Sequence, residues 1–184
     1  MVEPAELRTE RLLLRPFRDG DVDDVFAYAA DREWRRYIMN IPEPYTHAHA
    51  QEFVKRNMER DWDTNPNLAI VLDGHVVGST GLVVSREHQR AEIGYSLARE
   101  DWDKGLAAEA ARALIDWAFP AYGLAKVFAR ADARNKRSWR LMERLGMSRE
   151  GLLSGRRRVP GGRADEVVYR LLLEEWKALR DARA

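Results

Sequence analysis

Cysteine is absent from the 184 residues. That excludes a disulfide framework, thiolate-ligated metals and a cysteine nucleophile, and it makes a reducing compartment the expected setting. Long apolar runs are missing too, since no stretch reaches the roughly 20 residues that a membrane-spanning helix needs. The opening Met-Val-Glu-Pro-Ala-Glu-Leu-Arg lacks the basic start and apolar run of a secretory signal, so a cytoplasmic location with no membrane partner is expected. Proline and glycine are too scattered for a linker, and no repeat or low-complexity segment occurs. Histidine is scarce, at four residues, and His47 and His49 stand two apart at a helix start, where side chains do not face each other; no metal site is expected.

Charge of one sign is not in excess. Lys and Arg number 31 against 30 Asp and Glu, a net of +1, which argues against generic nucleic-acid binding. The distribution is uneven: from Arg130 to Arg163 there are 11 Lys or Arg and 3 Asp or Glu, whereas Asp19 to Asp24 is acidic. A local basic field suits a polyanionic ligand, or is a solvated arginine-rich surface. Arg156-Arg157-Arg158 reads in two ways as well, as a contact for an acidic or RNA-associated partner or as a solvated hairpin edge. With 45% hydrophobic and 33% charged residues, the chain fits one globular domain spanning 1–184.

Arg11 to Phe17 reads as a short strand ended by Asp19-Gly20, and Asp21 as the N-cap of a helix with Val22, Val25, Phe26 and Ala29 on one face. Trp34 to Tyr45 is a loop with at most a short helix. Thr46 can cap a second helix to about Asp61, with Ala50, Phe53, Val54 and Met58 inward. Leu68–Leu72 and Val76–Val84 flank Asp73-Gly74, a two-residue hairpin signal. A third antiparallel strand covers Arg90 to Leu97. Leu106, Ala110, Leu114 and Trp117 then recur at helical spacing until Pro120. Lys126–Ala131 is a strand, and Asn135 starts a helix carrying Trp139, Leu141, Met142 and Leu145 before Gly146. Two last strands flank Pro160-Gly161-Gly162, the second being Asp165 to Leu173, and Glu174 to Arg180 forms a final helical turn or two. The sum is an α/β chain with a mainly antiparallel sheet and one parallel crossover.

That crossover contains the most informative stretch. Ala91-Glu92-Ile93-Gly94-Tyr95-Ser96-Leu97 reads as a strand, and a small-residue turn at Lys104-Gly105 opens a helix through Leu106-Ala107-Ala108-Glu109-Ala110. A helix N-terminus offers unpaired N–H groups and the positive end of the dipole, so an anion such as a pyrophosphate fits there. Gly105, Ala107 and Ala108 are small enough to let the backbone approach it, and Lys104 adds a cation. The Gly-x-x-x-x-Gly-Lys pattern of a nucleotide-phosphate loop is absent.

Trp102-Asp103-Lys104-Gly105-Leu106-Ala107-Ala108-Glu109-Ala110 resembles the acetyl-CoA pyrophosphate loop of the GNAT N-acetyltransferases, in the branch similar to the ribosomal-protein N-terminal acetyltransferases of the RimJ/RimL type. Glu92-Ile93-Gly94-Tyr95 before it, Asn135-Lys136-Arg137-Ser138 and Leu145-Gly146-Met147 after it, and Asp165 to Trp176 carry the same resemblance, which covers nearly the whole chain. It implies the GNAT acyl-CoA N-acyltransferase fold, a mixed and mainly antiparallel sheet flanked by helices, with acetyl-CoA as co-substrate and no metal. Implied contacts to acetyl-CoA are Trp102, Lys104, Gly105, Leu106, Ala107 and Ala108, the backbone of Tyr95, Ser96 and Leu97, and Asn135, Arg137 and Ser138. Arg140 is a further candidate for the phosphates.

The resemblance also implies roles. Glu92 is the implied general base, often acting through water, because an amine must lose its proton before attacking a thioester. Read by itself it is equally an exposed strand glutamate. The tyrosine with which many members protonate the departing thiolate falls at Met142 here, so Ser138 is the substitute catalytic candidate. Trp34, Tyr37 and Tyr45 lie where the family has its variable acceptor wall, or they simply cover the core. The implied activity is acetyl transfer to a primary amine, a protein N-terminal α-amine by branch, in direct attack within a ternary complex. Acetylation of a small amine, antibiotic or polyamine is the alternative, as is a non-catalytic acyl-CoA-binding regulatory module. Direct nucleic-acid binding is not expected, and a homodimer is left open.

Overall fold

The computed structural model describes residues 1–38, 41–159 and 162–183. The elements run β1 (Leu7–Arg8), β2 (Leu13–Arg15), α1 (Val22–Ala29), α2 (Arg32–Arg35), α3 (His47–Met58), β3 (Asn67–Leu72), β4 (His75–Ser85), β5 (Arg90–Leu97), α4 (Leu106–Tyr122), β6 (Lys126–Asp132), α5 (Lys136–Arg144), β7 (Ser148–Val159), β8 (Gly162–Leu172) and α6 (Leu173–Asp181). Among the described residues the eight strands form one sheet in the order β1-β2-β3-β4-β5-β6-β8-β7. Among the described residues β5–β6 is the parallel pair, joined through α4 as the crossover pattern requires. The mixed, mainly antiparallel sheet flanked by helices is the one expected.

Local chemistry explains most boundaries. Asp73 and Gly74 take φ of 50° and 88°, the double left-handed geometry of a two-residue hairpin turn, and Leu72 pairs with His75 across it. Along α4 the side chains of Leu106, Ala110, Leu114 and Ala118 are buried and pack towards β4 and β5. The small alanines let the helix lie close to the sheet. In β6, Val127, Ala129 and Ala131 are buried, alternating with Phe128 and Arg130 on the other face.

Several expectations are corrected. Pro120 does not end α4, which continues to Tyr122 and stops at Gly123, a residue in the left-handed region with φ 61°. Burial of Phe119 and Tyr122, with the Tyr122 hydroxyl donating to the Trp62 carbonyl at 2.6 Å, holds the last turn against the missing proline N–H. Met58 is exposed rather than inward, because Ala50, Val54 and Asn57 occupy the buried stripe of α3. The strand expected from Arg11 to Phe17 shortens to Leu13–Arg15 and pairs with the unforeseen β1. The turn expected at Pro160-Gly161 lies outside the described residues.

Asp21 stands at the N-cap position of α1 without capping it. Its carboxylate instead accepts two hydrogen bonds from the Arg15 guanidinium at 2.7 and 2.8 Å and one from the Arg18 backbone N–H at 2.8 Å. Both side chains of the pair are more than nine-tenths buried. The hydrogen bonding of its guanidinium to Asp21 is the main reason the Arg15 pKa is raised. A buried charge that loses its partner is costly, so Arg15→Met should lower unfolding free energy by about 3–5 kcal/mol in urea titrations. The double change Arg15→Met with Asp21→Leu should recover much of that loss, since an apolar pair replaces the ion pair.

Candidate acetyl-CoA site

β5 and β6 pair only from Arg90↔Lys126 to Glu92↔Phe128. Beyond Glu92 they separate, although β5 stays paired with β4 to Leu97 and β6 with β8 to Asp132. The gap opens a cleft of about 330 Å³ lined on one side by Ile93 to Leu97 and on the other by Arg130 to Asp132. The β6-facing edge of β5 thereby lacks a strand partner at this point. Backbone polar groups so placed can pair with water or with a ligand that carries amide-like donors and acceptors.

The N-terminus of α4 closes one end of the cleft. Gly105 is its N-cap, at φ 81°, and no side chain caps the helix, so the first-turn N–H groups of Leu106, Ala107 and Ala108 are left for an anion. All four residues line the cleft. The opposite wall comes from α5, where Arg137, Arg140 and Arg144 recur at helical spacing and line the same space. Arg137 lies 4.8 Å from the centre of the Trp102 ring and donates to Asp103 at 3.3 Å. A basic helix face opposite an uncapped helix start is a fit for a diphosphate.

Each cofactor candidate can now be located. Tyr95, Ser96, Leu97, Trp102, Gly105, Leu106, Ala107, Ala108, Asn135, Arg137 and Ser138 all line the cleft. Lys104 does not, because its ammonium is drawn to the buried Asp101 carboxylate at 2.8 Å. The loop's cation is therefore ion-paired with Asp101, with its side chain still half exposed, and α5 adds arginines at the cleft. Asn135 caps α5 by accepting from the Ser138 N–H at 3.3 Å. Met142 is buried at the cleft wall, with no group that can donate a proton.

Glu109 belongs to the same sequence motif yet faces away. Its carboxylate accepts from the Thr9 hydroxyl at 2.5 Å, the Arg11 backbone N–H at 3.0 Å and the Arg11 guanidinium at 2.8 Å, while Arg11 also donates to the Lys104 carbonyl at 3.0 Å. The turn between β1 and β2 is thus fastened to both the loop and the first turn of α4.

At the other end of the cleft the structure gathers charges that sequence reasoning had not connected. Glu92 is itself not a lining residue; its two carboxylate oxygens accept from Arg130 Nε at 2.9 Å and Nη2 at 2.6 Å, and Arg130 lines the cleft. Hydrogen bonding to Glu92 is the leading cause that raises the Arg130 pKa. Arg130 also lies 3.8 Å from the buried Glu166, whose other oxygen accepts from Arg157 at 3.4 Å. Arg157 in turn donates to the Tyr37 carbonyl at 3.1 Å. Irregular pairing of β7 between Leu153 and Arg157 turns this one arginine of the Arg156–Arg158 run inward, while its neighbours stay exposed. A glycine, Gly155, inside an otherwise strand-like stretch was the available signal.

Of the acceptor-wall candidates, Trp34 and Tyr37 line the cleft beside this network. Tyr45 is not among the lining residues: its ring stacks on Phe26 at 6.4 Å and meets His49 at 5.7 Å, between α1 and α3. Among the described residues no cluster of three or more His, Asp or Glu is placed to hold a metal ion, and no helix is long and apolar enough to cross a membrane.

Residues 11–148 match the family model of the acetyltransferase (GNAT) domain. An N-acetyltransferase of Bacillus licheniformis named p20, described as uncharacterized, is 34% identical over 175 residues, covering 92% of this chain and 97% of the relative. A GNAT-family acetyltransferase of Bacillus anthracis solved by crystallography is 30% identical with a TM-score of 0.82, covering 93% of this chain and all of the other. RimL, a ribosomal L7/L12 α-N-protein acetyltransferase solved with coenzyme A, has a TM-score of 0.84 over 93% of this chain and 99% of its own; at 14% identity this is a likeness of fold.

Burial alone would raise the Glu109 carboxyl, but the hydrogen bonds from Thr9 and Arg11 outweigh it and hold it below the usual range. A depressed carboxyl stabilises the fold above its unfolded value of about 4.3, and that contribution disappears as pH falls through the lower folded value. Glu109→Gln should therefore be less stable than wild type at neutral pH, with the gap closing below about pH 4.3 in denaturation series.

Proposed function

The chain belongs to the GNAT acetyltransferase family, and from that premise we propose that it transfers acetyl from acetyl-CoA to a protein N-terminal α-amine, by direct attack with both substrates bound. N-acetyl transfer is the activity of the family. The observation that carries the reading of the site is the uncapped start of α4 opening onto the separation of β5 from β6. Pyrophosphate is held at Leu106–Ala108 with help from Arg137 and Arg140, and pantetheine amides pair along Tyr95–Leu97. The acetyl group then lies towards Arg130, Trp34 and Tyr37, where the acceptor enters.

Glu92 removes the amine proton through water, with Arg130 holding its carboxylate in one orientation. A weak base is enough for this acceptor. Deprotonating an α-amine of pKa near 8 at pH 7 costs about 1.4 kcal/mol, whereas a lysine of pKa near 10.4 costs about 4.6 kcal/mol. Ser138 faces the departing sulfur in place of the missing tyrosine. The α-amine preference is supported by the likeness to the RimJ/RimL branch in motif and to RimL in fold. Residues 1–184 acting as one domain are supported by the single continuous sheet, and a cytoplasmic setting by the cysteine-free composition.

An acceptor screen with labelled acetyl-CoA tests this. Peptides with free N-termini should be acetylated faster than spermidine, aminoglycosides or other small amines, and activity confined to the small amines would overturn the acceptor assignment. Glu92→Gln should lower kcat/KM by about 10²-fold, most at the lower end of the pH range, with acetyl-CoA affinity by calorimetry nearly unchanged. CoA affinity without turnover on any amine would instead identify a regulatory acyl-CoA-binding module.

A further inference from the structure

The Tyr95 hydroxyl lies 3.1 Å from both the carbonyl oxygen and the hydroxyl of Ser138. The two residues come from different elements, β5 and α5, and both line the cleft. Ser138 is itself fixed in the first turn of α5, where its N–H donates to Asn135. The Tyr95 hydroxyl is a polar atom set against a cleft-lining serine of α5, the helix that also carries the buried Met142.

We infer that Tyr95 is a positioning residue for Ser138, and that the pair stabilises the CoA thiolate as it leaves. This rests on the acetyl-CoA reading of the cleft given above. Burial holds the Tyr95 pKa well above its ordinary value, against the smaller lowering effect of Ser138, so the phenol keeps its proton throughout the working range. Before reaction its O–H donates to the Ser138 carbonyl, and the Ser138 hydroxyl can donate back to the phenol oxygen. When the C–S bond breaks and the sulfur takes the electron pair, the Ser138 O–H turns to the thiolate and the Tyr95 O–H donates to Ser138 Oγ. Hydrogen bonds change partners and no proton crosses the pair. The new N–C bond is made by the amine, whose proton goes to the base, and the thiolate later takes a proton from solvent. A thiol of pKa near 8.5 is a good enough leaving group for this without a strong acid.

The chain contains no cysteine, so the CoA thiol is the only thiol in the complex, and protein in excess over CoA keeps the free CoA small. The thiol pKa of CoA on the enzyme can be measured from its alkylation rate by iodoacetamide against pH, with occupancy checked by calorimetry. A hydrogen bond to a charged atom should place it about one unit below that of free CoA. Tyr95→Phe and Ser138→Ala, each compared with wild type at saturating CoA, should return most of that shift, and the double variant should do no more than either alone. Turnover should follow the same order in kcat, with the KM for acetyl-CoA unmoved. If CoA binds all variants equally but its thiol pKa is the same in each, or if only Ser138→Ala moves it, the role of Tyr95 is overturned. If wild-type protein does not bind CoA, the reading of the cleft fails first.

Discussion

Everything at the site depends on the failure of β5 and β6 to stay paired. A sheet that continued its ladder past Glu92 and Phe128 would bury its own backbone polar groups and leave no opening. Here β4 and β8 hold the two diverging strands from their outer sides, so the gap persists without costing the sheet its integrity. The cleft is consequently a backbone feature before it is a side-chain one. Its chemistry comes from unsatisfied donors and acceptors of the strand edge and the helix start, which hardly depend on residue identity.

Side chains then fix what the backbone opens. The Arg11–Glu109 contact fastens the N-terminal turn to the helix whose start meets the cleft, and the Arg11 bond to the Lys104 carbonyl steadies the loop leading into it. At the far end, Arg130 stands between Glu92 and Glu166, and Arg157 between Glu166 and the Tyr37 carbonyl. Each of these charges has an opposite charge within 4 Å, although Glu166 Oε2 and Arg157 Nε are buried without a hydrogen-bond partner among the described residues. They also connect Glu92 to the Tyr37 carbonyl through Arg130, Glu166 and Arg157.

Much of the fold was legible because it is written in short-range pattern. The span of β5, the Asp73-Gly74 turn, the α4 stripe and the Asn135 cap are all decided within a few residues. The errors have local pattern in common as their source. Met58 fits a helical face by spacing but lies one step round from the stripe that α3 buries, and Pro120 is a stop signal that tertiary burial of Phe119 and Tyr122 overrides. Tyr45 was indistinguishable from Trp34 and Tyr37 as one aromatic among three in a loop; packing against Phe26 separates it from them.

By itself the sequence determined the order of the strands and helices from β2 onward, the parallel crossover and the small-residue loop suited to a pyrophosphate, since periodicity, turn chemistry and capping act between near neighbours. Only the tertiary structure decided that β5 and β6 part, that Lys104 is spent on Asp101, and that Glu92 meets Arg130 across 38 residues and Tyr37 meets Arg157 across 120. It likewise decided that Tyr95 reaches Ser138, 43 residues away. These partners are set by sheet register and by where each strand diverges, and register is a property of whole strands packed together rather than of any residue's immediate neighbours.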